Sequence, residues 1–375
     1  MESALENCPS PLLEESAGPA CSPGPDGALA GRVPHQLTFQ WHITERCNLR
    51  CSHCYQESYG GAELTFDQWL DVIAQLEALL DRWTSPGGEP ARAHINVTGG
   101  EPFVHRDFLR LLEVFHAKRD RLSFAILCNG YFIDAEMARR LAKLRPGFVQ
   151  VSVEGTRATH DRIRGTGTFD RTVAAIRHLN RERVPVLISF TAHRGNFREF
   201  PAVARLACEL RVKRVWSDRL IPSGAGLGPE TQSLTPEEVR EYLDIMRRAR
   251  DEARGRWFCR TEVAQHRALQ FLTGHDKPYR CTAGDSLLTL RPNGDLLPCR
   301  RLPLRVGNIL ETPLVDLYYD NPILGALRNP QTAIKGCEPC SFKSTCRGGL
   351  RCLAFAVTGD PFTKDPGCWL AAGPR

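Results

Sequence analysis

The sequence predicts an α/β protein: a partial (β/α)6 parallel barrel followed by a small, cysteine-rich α+β domain. Two observations carry that prediction. From Leu37 onward, short apolar runs alternate with amphipathic stretches of helical period, a repetition that implies right-handed crossovers and a parallel sheet. Beyond residue 280 the periodicity fades while Cys, Gly and Pro accumulate, as in a segment that needs metal to hold its shape.

Residues 1–35 are rich in Pro, Gly, Ser and Ala, and read as a disordered tail in which Cys8 and Cys21 are unpaired thiols. The predicted strands are 37–43, 93–98, 122–128, 148–153, 185–191 and 212–217, and the predicted helices are 66–82, 106–118, 134–144, 169–182 and 197–210. The first helix rests on Phe66, Trp69, Leu70, Ile73, Leu76, Leu79 and Leu80, which fall on one stripe. Six strands are too few for a closed eight-stranded barrel, so the barrel, assigned to 36–222, is expected to be open, with ligands at the carboxyl ends of its strands. A Gly/Pro/Ser stretch at 222–236 marks the boundary, and 223–280 reads as linker plus a charged helix, 236–254, with a solvated Arg/Glu face. The second domain, 281–375, opens with a hairpin at 286–298 turning on Pro-Asn-Gly-Asp.

At 375 residues, 42% apolar and 25% charged, the chain can bury a large core. A dispersed net charge of +6 does not argue for nucleic acid. No apolar run approaches the ~18–20 residues of a membrane span, and no signal peptide is evident, so the expectation is a cytoplasmic protein without membrane contact. Fifteen cysteines without an export signal favour metal ligation over disulfides. Ten lie in two arrays; of the scattered five, Cys128 and Cys208 read as small buried thiols.

The first array is Cys47, Cys51 and Cys54, a CxxxCxxC triplet on the loop after the first strand. Three thiolates at that spacing can hold three corners of a [4Fe–4S] cube and leave one iron without a protein ligand. The competing reading is structural zinc, for which the triplet offers only His53 as a local fourth ligand. Gly99-Gly100-Glu101-Pro102 ends the second strand, where glycines allow close backbone approach and Glu101 offers an acceptor for a cationic amine. The fourth strand ends Val151-Ser152-Val153-Glu154-Gly155, followed by His160-Asp-Arg-Ile-Arg164-Gly. The second array is Cys281, Cys299, Cys337, Cys340, Cys346, Cys352 and Cys368, spaced C-x12-G-x4-C, then C-x2-C-x5-C, with 15 residues between Cys352 and Cys368. Seven sulfurs can also ligate one or two zinc ions.

Together these motifs resemble the radical S-adenosylmethionine (SAM) enzymes that carry a C-terminal SPASM domain, over roughly residues 37–370. The resemblance implies a [4Fe–4S] cluster at Cys47, Cys51 and Cys54, with SAM chelating the open iron. It implies SAM contacts from Tyr55 to adenine, from Gly99, Gly100 and Glu101 to the amine, and from Ser152 and Glu154 to ribose and carboxylate. Arg164, in preference to Arg162, would bind the carboxylate. The family more often has Asp where Glu154 stands. In the second array the resemblance implies two auxiliary iron–sulfur clusters. Cys337, Cys340, Cys346 and Cys368 would enclose one, and Cys281, Cys299 and Cys352 would hold the other. The latter's fourth position is left open or falls to Cys259, which lies outside the usual local spacing. The five-residue spacer Arg347–Arg351 departs from a family norm of three.

The activity so implied is reductive cleavage of SAM to a 5′-deoxyadenosyl radical, hydrogen abstraction from a peptide or protein, and crosslinking or oxidation of that substrate. The auxiliary clusters would accept the electron. Flavodoxin or ferredoxin would supply the reducing electron. About 36 residues precede the first strand, short of the family's leader-binding module, so leader recognition would fall to a separate protein or to the barrel and SPASM surface. Alternatives are modification of a tetrapyrrole or quinone-type cofactor, formylglycine formation in a sulfatase, and a non-catalytic iron–sulfur or zinc scaffold. No motif names a catalytic acid or base; Asp218 and Arg219, after the sixth strand, lie either beside substrate or in a salt-bridged rim.

Overall fold

The computed structural model describes residues 36–83, 90–224, 232–274 and 278–370. The predicted tail with Cys8 and Cys21, and most of the Gly/Pro/Ser boundary, lie outside the described residues. Six strands run parallel in chain order: β1 (Gln36–His42), β2 (Arg92–Thr98), β3 (Leu122–Cys128), β4 (Val149–Ser152), β5 (Val186–Ala192) and β6 (Arg214–Arg219). Each lies within two residues of its predicted start. Helices α1 (Phe66–Asp81), α2 (Phe108–Ala117), α3 (Ala135–Leu144), α4 (Arg157–Arg164), α5 (Thr168–Arg181) and α6 (Phe200–Glu209) lie between them. All but α4 are predicted.

Local chemistry explains the boundaries. Thr65 and Gln68 close a capping box at α1, which satisfies two otherwise orphaned N–H donors. Thr235 and Glu238 do the same, with Pro236 in the first turn, at the long charged helix α7 (Pro236–Gly255). The stripe of α1 buries Trp69, Val72, Ile73, Leu76, Leu79 and Leu80, while Leu70 stays 40% exposed. Alternation along β1 sends Phe39 and Trp41 towards the helices, where Trp41 meets Trp69 and Phe115. Gln40 and His42 therefore face the other way, into the concave side of the sheet.

The sheet extends past both ends of the predicted six strands. A short β7 (Glu262–Val263) adds to β6 in parallel. The hairpin at 286–298 forms as β8 (Leu287–Leu290) and β9 (Asp295–Leu297), and β10 (Gly307–Asn308) pairs with β9. β8 pairs in parallel with β1, from Thr38↔Leu287 to Trp41↔Leu290. One ten-stranded sheet results, ordered β10-β9-β8-β1-β2-β3-β4-β5-β6-β7, and among the described residues β7 and β10 are its unpaired edges. The sheet is open, and its first added strand carries the start of the second cysteine array across to the barrel. Helices α8 (Leu314–Asp320), α9 (Pro322–Arg328), α10 (Lys343–Cys346) and α11 (Arg351–Thr358) complete the C-terminal portion. No helix among the described residues is long and apolar enough to cross a membrane.

Candidate active site and metal centres

The triplet loop leaves the carboxyl end of β1 and is held from three sides. Gly100 N–H donates to Thr44 O (2.8 Å) and Glu101 N–H to Arg46 O (2.9 Å), sewing the end of β2 to the loop's entry. A Cβ on Gly99 or Gly100 would run into the Thr44–Arg46 backbone. The close approach these glycines permit is thus to the chain itself, and it fixes the path into Cys47. Ser52 N–H donates to Ile163 O (2.9 Å) in α4, and Gln56 is anchored on Glu45 by bonds of 2.9 and 3.0 Å to its carbonyl and carboxylate.

The three sulfurs each have an N–H donor. Leu49 N–H approaches Cys47 Sγ (3.4 Å), Gln56 N–H approaches Cys54 Sγ (3.5 Å), and Arg164 Nη1 lies 3.9 Å from Cys51 Sγ. Burial pushes the Cys47 thiol up to about 11, and Glu101, Cys51 and Cys54 add to the rise. The thiols are thus mutual neighbours, supplied with donors that would stabilise them as thiolates. That donor set fits an iron–sulfur cluster at this loop.

Glu101 is 1% exposed and accepts from Phe103 N–H (3.3 Å) and Asn129 N–H (2.8 Å). Burial raises its carboxyl to about 7. Glu154, fully buried, accepts from Arg164 (2.5 and 3.1 Å), lies 3.2 Å from His53 Nε2, and accepts from Thr191 N–H (2.9 Å). Despite its burial, Arg164 and His53 hold Glu154 well below the usual carboxylate range. Glu154 and Arg164, expected to face SAM separately, are therefore partners of each other, and His53 joins them. The role of His53 escaped the sequence reading, whose only signal was its place between Cys51 and Cys54. Ser152 bonds Ser189 Oγ (3.3 Å). Arg162 donates to Thr159 (3.3 Å) and lines an open hollow with Ser52 and His193. Tyr55 lies between the His42 ring (centroids 6.5 Å apart) and the Arg300 guanidinium, 4.9 Å from its ring centroid.

The C-terminal cysteines separate into the two expected groups. Cys337, Cys340, Cys346 and Cys368 line one cavity with Phe342 and Leu269. Burial raises Cys346 to about 12, and Cys368 and Cys337 are among the charges that act on it. In the other group, burial raises Cys352 to about 12, with Arg301 opposing and Cys299 and Cys281 adding. Around Cys281 lie Arg280, Arg347 and Arg351, whose buried Nε atoms have no hydrogen-bond partner, with Asp285 the carboxylate among them. Arg280 is paired with Asp285 (3.1 Å), but Arg347 and Arg351, buried and without an ion pair among the described residues, fit an anionic group such as a thiolate-ligated cluster. Among the described residues no three His, Cys, Asp or Glu side chains converge on a single-ion position.

Cys259, considered above as a fourth ligand, is instead disulfide-bonded to Cys208, with Cα atoms 5.0 Å apart. Cys208 is accordingly buried but is not a free core thiol, and the preference for ligation over disulfides has this exception. Cys128 is a buried thiol whose Sγ lies 3.7 Å from Gln150 O. Asp218 is paired with Arg267 (3.1 Å) and Arg301 (2.8 Å), and Arg219 binds Asp365 bidentately (2.8 and 2.6 Å). Both belong to β6 itself, and the salt-bridged rim is the reading they take.

Residues 41–207 match a family model described as the radical SAM superfamily, and residues 281–341 one described as SPASM, an iron–sulfur cluster-binding domain. The chain is 30% identical over 351 residues to the mycofactocin maturase MftC of Mycobacterium tuberculosis, covering 88% of this chain and 82% of that one. It is 27% identical over 361 residues to the Fe-coproporphyrin III synthase of Methanosarcina barkeri, covering 88% and 87%. Among solved structures, anSMEcpe with bound AdoMet and Kp18Cys peptide superposes with a TM-score of 0.70 at 18% identity, covering 89% of this chain and 94% of that one. At that identity the likeness is one of fold.

Proposed function

The chain belongs to the radical SAM superfamily and carries a SPASM domain, and from that premise we propose that it abstracts hydrogen from a peptide or protein substrate and crosslinks or oxidises it. It is an enzyme whose cofactors are a [4Fe–4S] cluster with SAM and auxiliary iron–sulfur clusters. When bound and reduced by one electron, the cluster and SAM together supply a 5′-deoxyadenosyl radical.

This chain's residues would do the holding. Cys47, Cys51 and Cys54 ligate the SAM cluster. Their N–H donors temper the sulfur charge, and Glu101 receives the SAM amine at the carboxyl end of β2. The Glu154–Arg164–His53 group acts as a rigid wall that sets the position of Cys51. Tyr55, Ser152, Gly99 and Gly100 line or shape the same mouth. Cys337, Cys340, Cys346 and Cys368 enclose one auxiliary cluster, while Cys281, Cys299 and Cys352 hold another with an open fourth position, now that Cys259 is engaged elsewhere. A low-potential donor such as flavodoxin or ferredoxin would reduce the cluster.

The observation that carries the reading is the shared sheet. β8 brings the hairpin that ends at Cys299 against β1, which leads into the SAM triplet. The hairpin that ends at Cys299 and the strand that leads into the triplet are therefore joined in one sheet. The peptide reading is supported by the likeness to MftC, a maturase by name. The likeness to Fe-coproporphyrin III synthase supports a second reading, in which a tetrapyrrole is modified.

The test is 5′-deoxyadenosine by mass spectrometry from anaerobically reconstituted protein given SAM and dithionite. Formation should vanish in Cys51→Ala. Co-expression with short peptides encoded beside the gene should give a SAM-dependent mass change that Cys352→Ala abolishes while the SAM cluster's iron is retained. Deoxyadenosine formation with no mass change in any such peptide, but with turnover of a tetrapyrrole, would replace the first reading by the second.

A further inference from the structure

Arg300 is a buried cation without an anion. It directly follows Cys299, is 8% exposed, and its Nε is a buried donor with no partner. Among the described residues its guanidinium makes no ion pair and no hydrogen bond. Its one contact of note is the face of Tyr55, at 4.9 Å from the ring centroid. A ring face attracts a guanidinium but does not neutralise it.

Glu45, whose charge acts on Tyr55, and Asp218, the partner of Arg301, are committed to others. Glu45 is bonded to Arg291 (3.0 Å) and to Gln56 (3.0 Å). Asp218 is shared by Arg267 and by Arg301, the residue next to Arg300. Neighbouring arginines thus point opposite ways: Arg301 to a carboxylate on β6, and Arg300 to the side of the mouth beside β1. On that side His42, at the carboxyl end of β1 and 2% exposed, also has a buried ring nitrogen, Nδ1, without a partner. Tyr55 touches both unpartnered groups, its backbone continues directly from Cys54, and the Arg300 charge lies near enough to His42 to help lower its imidazole, after burial. A guanidinium and an imidazole, each with a buried nitrogen that no protein group answers, mark a place built for something the polypeptide does not supply.

We propose that Arg300, with His42, anchors a carboxylate of the substrate between the SAM-cluster loop and the Cys281/Cys299/Cys352 group. The fork of a guanidinium matches a carboxylate with two parallel N–H···O bonds. Glu101 and the Glu154–Arg164 pair stand at the ends of β2 and β4, so the β1–β8 side that Arg300 faces remains for the substrate. The inference rests on the radical SAM reading and deepens it: the substrate carries a free carboxylate, as both a peptide and a tetrapyrrole propionate do.

The test is binding to the reconstituted full-length enzyme with SAM present and oxygen absent. One arm titrates coproporphyrin III and its tetramethyl ester, read by the porphyrin absorption band. The other titrates fluorescein-labelled pentaalanine with a free or an amidated C-terminus, read by anisotropy. In at least one arm, Arg300→Gln should weaken the carboxylate form by roughly tenfold to a hundredfold, the loss of a charged hydrogen-bonded partner. Arg300→Lys should recover part of it, and the ester or amide should bind the native enzyme no better than the acid binds Arg300→Gln. The responsive arm identifies the source of the carboxylate. Carboxylate and ester binding alike, binding unmoved by Arg300→Gln, or no binding of either acid overturns the proposal. A loss of affinity confined to SAM itself would also overturn it, by giving Arg300 to the cofactor's own carboxylate. The radical reading is judged separately, by deoxyadenosine formation in the native enzyme.

Discussion

Glu101 is held in the folded protein with its carboxyl raised by burial from 4.5 to about 7. Its sign follows from linkage. Below about pH 4.5 both states are protonated and the group's contribution to stability is fully present. Between there and about 7 the unfolded chain releases the proton first, so stability falls, by about 3 kcal/mol in all. In cluster-free protein, thermal unfolding from pH 4.5 to 8 should therefore shift in favour of Glu101→Gln relative to wild type. A difference between the two that stays flat over that window would show that Glu101 is not desolvated. Cys259 makes a second prediction at this scale. Its disulfide with Cys208 spans 51 residues, a closure worth roughly 2–4 kcal/mol. Cys259→Ser should lower stability by that order yet leave iron per chain unchanged, whereas a drop in iron would restore Cys259 as a ligand. Which of the array cysteines lie near one another was legible from spacing, because ligand spacing is local chemistry. The pairing of Cys208 with Cys259, the place of His53 against Glu154 and the isolation of Arg300 were not legible. Each depends on which distant side chain arrives, or fails to arrive, across the fold.

The elements that sequence revealed are those that carry their own signals. Helix α1 has a capping box and a one-face stripe; α7 has a capping box and Pro236. Helix α4 has neither. Of its eight residues only Ala158 and Ile163 are apolar, Thr156 makes no side-chain cap bond, and the start of the helix is held instead by Glu199, which accepts from Thr156 N–H and Thr159 Oγ–H (2.6 Å each). A helix capped from 43 residues away leaves no local trace, and yet it carries Arg164 to Cys51. The glycine pair after β2 shows the reverse case, a local signal whose purpose became clear only in the fold. Gly99 and Gly100 let β2 lie against the Thr44–Arg46 backbone. Gly100→Ala forces a methyl group into Arg46 and so displaces the entry to Cys47. Overpacking of this kind costs about 1–3 kcal/mol. The expected outcome is a modest fall in stability with a disproportionate loss of iron from the SAM site, measured by iron content against a Cys47→Ala control. Full iron content in Gly100→Ala would mean that the loop finds its position without this contact.

At the scale of the whole molecule, the sequence marks a boundary near residue 222, whereas the structure runs one sheet across it by pairing β8 with β1. Non-local strand pairing cannot be read from a hairpin's own residues, since β8 turns back at Pro-Asn-Gly-Asp as any hairpin strand would. A second tie closes the other side. Arg219, 5% exposed at the end of β6, binds Asp365, 1% exposed, which also accepts from Leu350 N–H (3.0 Å) and Gly367 N–H (2.9 Å). Leu350 lies two residues before Cys352 and Gly367 one before Cys368, so a single carboxylate locates a cysteine of each auxiliary group relative to the barrel. Removing one member of a buried, hydrogen-bonded pair strands the other, at a cost of about 3–5 kcal/mol. Asp365→Ala should therefore destabilise the cluster-free protein by that order in urea unfolding. The Arg219→Met/Asp365→Leu double variant should recover much of the stability, because apolar replacement of both charges removes the stranded ion. It should not recover iron at the auxiliary sites, since Leu350 and Gly367 still lack their acceptor. Stability and iron returning together in the double variant would show that the pair only holds the domains together; stability without iron would show that it sets where the auxiliary cysteines stand.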